Sequence, residues 1–293
     1  MAALPDRLAA QIAHAFPTLQ WNSAQLLDHG WDHEVVTLDS TLVLRFPRTH
    51  EYQERLHDEI RLLDALTPLL HVRIPKYTRS AAGVAGYTIV HGQELRHKNF
   101  WALSPMEQKS LALHLASFLT TLHCLDASVL SAFTTPVNNP MEAALTHHKR
   151  LEDILPLLTS DHERCIARRL VEELLEHSST PLPQYLTHGD LTSDHILLDP
   201  GDPRPGIIDF SDRAIDDPAH DFAGLHEYGA AFVQEVYAHY EGLRDNTLLD
   251  RALLYYQTTG LTHLFDSMAF GHIPLDQARK AFRTHVRAMG TMD

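Results

Sequence analysis

The chain opens with apolar positions at helical spacing, Leu4, Leu8, Ile12 and the pair Ala15 and Phe16, which predicts a short amphipathic helix. The period then shortens. Val35-Val36-Thr37-Leu38 and Thr41-Leu42-Val43-Leu44 are β-branched or apolar runs on either side of Asp39-Ser40, the pattern of a hairpin. Leu56, Ile60, Leu63 and Leu66 restore helical spacing across residues 51–67. Tyr87-Thr88-Ile89-Val90, with Gly83, Gly86 and Gly92 around it, reads as a short strand. These elements form a small strand-rich part with one interior helix, ending near His91-Gly92, and Gln93 to Phe100 is the expected connection onward.

Further along, the helix starts are well marked. Ser104-Pro105-Met106-Glu107 places a capping serine before a proline at the first helical position and a glutamate at the third, so that side chains satisfy the free N–H groups of the first turn. Asn139-Pro140-Met141-Glu142 repeats the device, Ser160 with Glu163 forms another capping box, and Asp217-Pro218 is expected to begin a fourth helix. Short strands are predicted between the third and fourth, at residues 184–187, 196–198 and 206–210.

Composition narrows the class. With 293 residues, 44% hydrophobic and 21% charged, the chain is a folded protein of two lobes or one large domain. Its 24 Lys and Arg against 38 Asp and Glu give a net charge of -14, which argues against nucleic acid or an anionic membrane and suits a cationic partner. The two cysteines, Cys124 and Cys165, form no C-x-x-C pair, and no apolar run reaches the roughly 20 residues of a membrane helix. With no basic-then-apolar leader visible either, the cytoplasm is the expected location. The 22 histidines suggest a metalloenzyme, but no H-E-x-x-H and no Cys/His set with zinc spacing occurs, so that reading is set aside.

The informative segment is Tyr185-Leu-Thr-His-Gly-Asp-Leu-Thr-Ser-Asp-His-Ile-Leu-Leu198, followed by Pro205-Gly-Ile-Ile-Asp-Phe-Ser-Asp212 and by Asp217-Pro-Ala-His-Asp-Phe222. Here the chain resembles the aminoglycoside phosphotransferases, small-molecule kinases that share the protein-kinase fold. His188-Gly189-Asp190 resembles their catalytic loop and Ile207-Ile208-Asp209-Phe210 their metal-binding strand end. The order of the motifs, more than any one alone, carries the likeness. It implies an α+β, protein-kinase-like two-lobed fold, with a small antiparallel-sheet N-lobe over residues 1–92 that binds nucleotide. A larger, mainly helical C-lobe over residues 93–293 would carry catalysis and substrate. The partner would be a cationic aminoglycoside, the cofactors Mg²⁺ with ATP or GTP as donor, and the protein a monomer.

The chemistry accounts for the residue types. Phosphoryl transfer needs an oriented acceptor hydroxyl and cations that neutralise developing charge. Asp190 would accept or orient the hydroxyl proton, and Asp209 would offer hard oxygen to Mg²⁺. Five positions beyond Asp190, where kinases place a metal-binding Asn, stands His195. This is similar to the 2″-aminoglycoside branch and is shared by macrolide phosphotransferases. The imidazole could ligate the metal or only orient Asp190. Arg45, in Leu42-Val-Leu-Arg-Phe-Pro47, occupies the place of the nucleotide-binding lysine. Its partner would be Glu59, which lies in the periodic stretch beside Ile60, in preference to Glu54; alternatively Arg45 is a strand-edge charge. Gly30-Trp31-Asp32-His33 resembles the nucleotide-covering turn.

Thr88 and Val90 would bond the nucleobase through backbone groups, and Tyr87 would narrow the base pocket in favour of GTP. Among acidic residues able to meet ammonium groups, Glu227 stands first, then Asp212, Glu235 and Asp266. The rivals are a macrolide or other small-metabolite kinase and a non-catalytic nucleotide-binding pseudokinase. The carboxylates between residues 209 and 235 favour the aminoglycoside, and the presence of both Asp190 and Asp209 disfavours the pseudokinase.

Overall fold

The computed structural model describes residues 4–27, 32–271 and 273–287, without the side chains of residues 127 and 128. In chain order, helix α1 (Asp6–Ala15) precedes strands β1 (Ala24–Leu27), β2 (His33–Leu38) and β3 (Leu42–Pro47), and then α2 (His50–Leu66). Strands β4 (Tyr77–Ala81), β5 (Val84–Thr88) and β6 (Gln93–Glu94) come next. Helices α3 (His97–Trp101), α4 (Pro105–His123), α5 (Ala127–Leu130), α6 (Pro140–Ile154) and α7 (Asp161–Ser178) lead to β7 (Tyr185–Thr187), β8 (Ile196–Asp199), β9 (Asp202–Ile207) and β10 (Ala214–Asp216). The chain closes with α8 (Ala219–Ala223), a 3₁₀ turn (Gly224–Tyr228), α9 (Ala230–His239), α10 (Leu248–Ala269) and α11 (Leu275–Arg287). The class is α+β, and every ladder between named strands is antiparallel.

Two compact units emerge. The first comprises Met1–Leu95, Asp126–Thr135 and Asp194–Ser211, the second Arg96–Leu125, Pro136–Ser193 and Asp212–Asp293. The first is built on a five-stranded sheet in the order β1-β2-β3-β5-β4. Asp39 and Ser40 both take positive φ in the β2–β3 turn, as a tight hairpin with right-handed strand twist requires. Because side chains alternate across a strand, Leu44 and Phe46 of β3 join Val36, Leu38 and Val84 in a core with Leu8 and Ile12 of α1. Arg45, between Leu44 and Phe46, projects to the opposite face and meets Glu59 of α2. This unit also holds the three-stranded sheet β6-β8-β9.

The second unit is mainly helical, with β7 and β10 forming a two-stranded sheet. The capping boxes at Ser104/Glu107 and Ser160/Glu163 both form, and Asn139 accepts from Met141 and Glu142 N–H groups. α10 and α11 meet at Gly260, where a Cβ would stand 2.8 Å from Phe282 Cα.

Some expectations need correction. The strand expected at Tyr87–Val90 is Val84–Thr88, and the one expected at residues 206–210 is Asp202–Ile207, so Asp209 lies beyond it. Asp217-Pro218 does precede a helix, α8: the Asp217 Oδ1 accepts the Ala219 N–H at 3.1 Å, and the same buried carboxylate accepts from Arg251 at 2.6 and 2.9 Å. Of the expected nucleotide-covering turn, Gly30 and Trp31 lie outside the described residues, and His33 begins β2.

Candidate active site

In the second unit, β7 ends at Thr187, whose hydroxyl donates to Ala214 O on β10 at 3.1 Å. The chain then turns through His188-Gly189-Asp190. Gly189 has φ +85°, and a Cβ there would fall 2.2 Å from Asp212 O. Glycine is therefore required twice over, by the left-handed backbone and by the close approach. The turn is held by Asp221, fully buried, whose Oδ2 accepts the His188 N–H at 2.9 Å and whose Oδ1 accepts the Gly189 N–H at 2.9 Å. His123, at the end of α4, meets Asp221 Oδ2 through Nε2 at 3.0 Å and the Tyr240 hydroxyl through Nδ1 at 2.9 Å.

Burial pushes the Asp221 carboxyl up; the hydrogen bond and charge of His123, with those of His188, outweigh it and hold it below the usual carboxylate range. A buried carboxylate kept ionised in this way fixes two successive peptide N–H groups, and so the direction in which Asp190 leaves the loop. Asp190 itself is half-buried; its N–H faces His188 Nδ1 at 3.3 Å and its carbonyl accepts from Thr192 N–H at 3.0 Å.

In the first unit, His195 immediately precedes β8 and Asp209 follows β9 by two residues. The Ile208 N–H donates to His195 O at 3.0 Å, and this backbone tie brings His195 Nε2 within 3.8 Å of Asp209 Oδ2. Asp209 has φ +61° and a side chain 46% exposed. A non-glycine residue in the left-handed region is uncommon outside turns and functional sites. One carboxylate and one imidazole converge here, a set that fits a divalent cation whose remaining ligands are phosphate and water. Among the described residues no group of three or more His, Cys, Asp or Glu converges as a metal cage.

Arg45 is buried with Glu59, Nη1 to Oε1 2.7 Å. The Tyr77 hydroxyl donates to the same Glu59 oxygen at 2.9 Å and accepts from Arg45 Nη1 at 3.1 Å. Nη2 donates to Ser211 Oγ at 2.6 Å and to His33 Nδ1 at 3.0 Å, and lies 4.0 Å from Asp209 Oδ1. Tyr87 sits edge-on to Tyr77 at 5.1 Å, its hydroxyl pushed up to about 12 by burial. Thr88 closes β5 opposite Leu42 and is exposed, and half-buried Val90 lies against Gly206, where a Cβ would stand 2.6 Å from Val90 Cγ1.

The four acidic candidates for substrate lie on separate elements of the second unit. Glu227 is half-buried in the 3₁₀ turn after α8, and Asp212 is exposed beside Gly189. Glu235 of α9 meets His239 one turn later at 3.3 Å, and Asp266 lies on α10, where its charge acts on His263. Sequence reasoning did not anticipate His33, Tyr77 and Ser211 around Arg45, nor His123 and Tyr240 behind Asp221. Most of these partners are distant in the chain, up to 166 residues for Arg45 and Ser211, whereas His33 stands only 12 residues from Arg45, on the paired strand β2.

The first unit carries a buried, carboxylate-paired arginine on an antiparallel sheet and an aspartate two residues past β9, and the second a His-Gly-Asp loop held by Asp221; each is a feature expected of a phosphotransferase of protein-kinase-like fold. The family assignment agrees: the chain belongs to the phosphotransferase enzyme family, whose model matches residues 23–254. Among solved structures, it is similar to the GDP and kanamycin complex of APH(2″)-IIIa, at 26% identity over 97% of this chain and 98% of that one, with TM-score 0.83. At the level of fold it also matches the streptomycin–ATP complex of APH(2″)-IIa, with 19% identity over 98% of this chain and 97% of that one and TM-score 0.69. The macrolide 2′-phosphotransferase MphH of Brachybacterium faecium matches at 23% identity over 94% of this chain and 98% of that one, with TM-score 0.67.

Proposed function

We propose that the protein transfers the γ-phosphate of ATP or GTP to a hydroxyl of an aminoglycoside, in the manner of the 2″ enzymes, and so confers resistance to the drug. The observation that carries this reading is the end-to-end likeness to the GDP and kanamycin complex, joined to a His-Gly-Asp loop whose backbone is locked by Asp221. Asp190 orients the acceptor hydroxyl and takes its proton as the new P–O bond forms. Arg45, held by Glu59, presents positive charge to the phosphates. Backbone groups at Thr88 and Val90 receive the base, and Tyr87 narrows its pocket. Asp209 and His195 hold Mg²⁺, which when bound neutralises charge on the transferring phosphoryl oxygens. Glu227, with Asp212, Glu235 and Asp266 as further candidates, meets the ammonium groups of the drug.

Residues 1–92 form the nucleotide-binding part and residues 93–293 the catalytic and substrate-binding part of a cytoplasmic monomer. Among the described residues, no helix is long and apolar enough to cross a membrane. A macrolide acceptor is the second reading, favoured by the fold match to MphH. Against it stand the seven carboxylates Asp209, Asp212, Asp216, Asp217, Asp221, Glu227 and Glu235, although the structure commits Asp216, Asp217 and Asp221 to internal hydrogen bonds. Turnover with ATP and GTP separately, against a panel of aminoglycosides and macrolides, decides between the two. Phosphorylation of macrolides alone would overturn the aminoglycoside reading.

A further inference from the structure

Arginine and lysine make different demands on their surroundings. A lysine ammonium is a point charge that one carboxylate can anchor. A guanidinium is a planar fork, and pinning one terminal nitrogen leaves the other free to swing about the Nε–Cζ plane. In this protein the first terminal nitrogen, Nη1, is taken by Glu59 and the Tyr77 hydroxyl. The second, Nη2, is taken by His33 Nδ1 at 3.0 Å and Ser211 Oγ at 2.6 Å. All four Nη protons therefore have acceptors, and the plane of the fork is fixed from both ends.

The two acceptors on the outer nitrogen are neutral. A second carboxylate in their place would cancel the charge that Arg45 offers to a phosphate; Asp209 Oδ1, at 4.0 Å from Nη2, stays outside hydrogen-bonding distance. His33 is suited to remain an acceptor. His33 is 4% exposed, and burial, followed by the charge of Arg45, pushes its pKa down to about 3. Accepting a hydrogen bond from Arg45 at Nδ1 leaves the ring's own proton on Nε2, which is buried with no hydrogen-bond partner among the described residues. Ser211 reaches in both directions: its hydroxyl accepts from Arg45, and its backbone N–H donates to Asp209 Oδ1 at 3.3 Å.

We infer that His33 and Ser211 are positioning residues for the nucleotide phosphates, holding the outer edge of the Arg45 fork so that an arginine performs the task of a lysine at this position. The inference rests on the proposed role of Arg45 at the nucleotide. Both residues act through Arg45 and not on the phosphates themselves.

The test is calorimetric binding of GDP and of ADP in EDTA, which keeps Asp209 and His195 out of the measurement. His33→Leu and Ser211→Ala are each expected to weaken binding by about three- to tenfold, the scale of one hydrogen bond. His33→Asn, which keeps an acceptor near the position of Nδ1, is expected to restore most of the loss. In an Arg45→Lys background, which has no second terminal nitrogen, the effects of His33→Leu and Ser211→Ala should shrink to less than about twofold, as coupling through one shared partner requires. Wild-type affinity in both His33→Leu and Ser211→Ala, with weakened binding in Arg45→Gln, would overturn the inference while leaving Arg45 at the nucleotide. Wild-type affinity in Arg45→Gln would instead remove Arg45 from the nucleotide site, and the inference with it. An undiminished loss in the Arg45→Lys background would mean a general effect on the fold and would also overturn it. If His33→Leu does not fold, Ser211→Ala in the two backgrounds decides the matter alone.

Discussion

Replacing Asp221 by Asn exchanges one oxygen for an NH₂ group and removes one charge. In the native protein the carboxylate accepts from His188 N–H and Gly189 N–H, each at 2.9 Å, and from His123 Nε2 at 3.0 Å. An amide has only one acceptor oxygen. Whichever way it is turned, its NH₂ faces at least one of these donors inside a fully buried site. Hydrogen bonds to a buried charge contribute about 1.5–3 kcal/mol each, and breaking a buried charged pair costs about 3–5 kcal/mol. We therefore expect Asp221→Asn to lose about 3–5 kcal/mol, which lowers the urea midpoint by about 1–2 M at a slope near 3 kcal/mol per molar.

The native state should survive in buffer, because domains have about 5–15 kcal/mol in hand. Its catalytic loop should not keep its geometry. A misplacement of about 1 Å costs on the order of 10²-fold in rate, so kcat should fall by about that factor in conditions where circular dichroism shows the variant folded. Equilibrium unfolding and steady-state turnover on the same preparation provide both numbers. A lowered midpoint with wild-type kcat would show that Asp221 supports the fold without placing Asp190. An unchanged midpoint would refute the account of the buried carboxylate altogether.

Three further outcomes are expected. Asp190→Asn should fold normally and lose about 10²–10⁴ in kcat, the range of a general base; a loss below about tenfold in a steady-state assay would take the base role from it. Glu227→Gln should raise KM for an aminoglycoside by about tenfold with kcat nearly unchanged, because a contact made equally in ground and transition states acts on binding alone, and an unaltered KM would remove Glu227 from the pocket. His33, held at a pKa of about 3 against an ordinary 6.5, stays neutral in the folded protein while the unfolded chain takes up a proton below 6.5. Its contribution to stability is therefore complete above about pH 6.5 and falls by about 1.4 kcal/mol per pH unit as the pH drops toward 3. Urea unfolding between pH 6 and 4 should show His33→Asn with a shallower loss of stability than wild type, and parallel slopes would contradict the burial of a neutral ring.

What could be read from the sequence was local. The capping boxes at Ser104 and Ser160 needed only residues within one helical turn, and the Asp39-Ser40 hairpin needed only the two runs beside it. That Arg45 has a carboxylate partner on the next helix was implied by the resemblance to the aminoglycoside phosphotransferases, and the periodicity around Ile60 singled out Glu59 over Glu54, the pair the structure forms. β9 was placed too late because Asp202-Pro-Arg-Pro205 has the composition of a loop. Proline is tolerated there because β8 is the only named strand that β9 pairs with, and on the other side Arg73 alone bridges to it, using the Pro205 carbonyl and the Ile207 N–H and needing no N–H from either proline. Asp217-Pro218 carries a helix-start signal that the Ala219 N–H answers, but the same carboxylate also serves Arg251, 34 residues away. No periodicity encodes such a pairing. The same holds for Ser211 on Arg45, and for His123 and Tyr240 behind Asp221: each joins elements that only the tertiary fold brings together.

The most direct test of the central claim is to incubate the purified protein with Mg²⁺, kanamycin and ATP or GTP, and to follow the drug by mass spectrometry and phosphorus NMR. The account expects one phosphate ester on a kanamycin hydroxyl with the wild-type protein and none above background with Asp190→Asn. Nucleotide that is bound or hydrolysed by the wild-type protein while kanamycin and other aminoglycosides stay unmodified would contradict it.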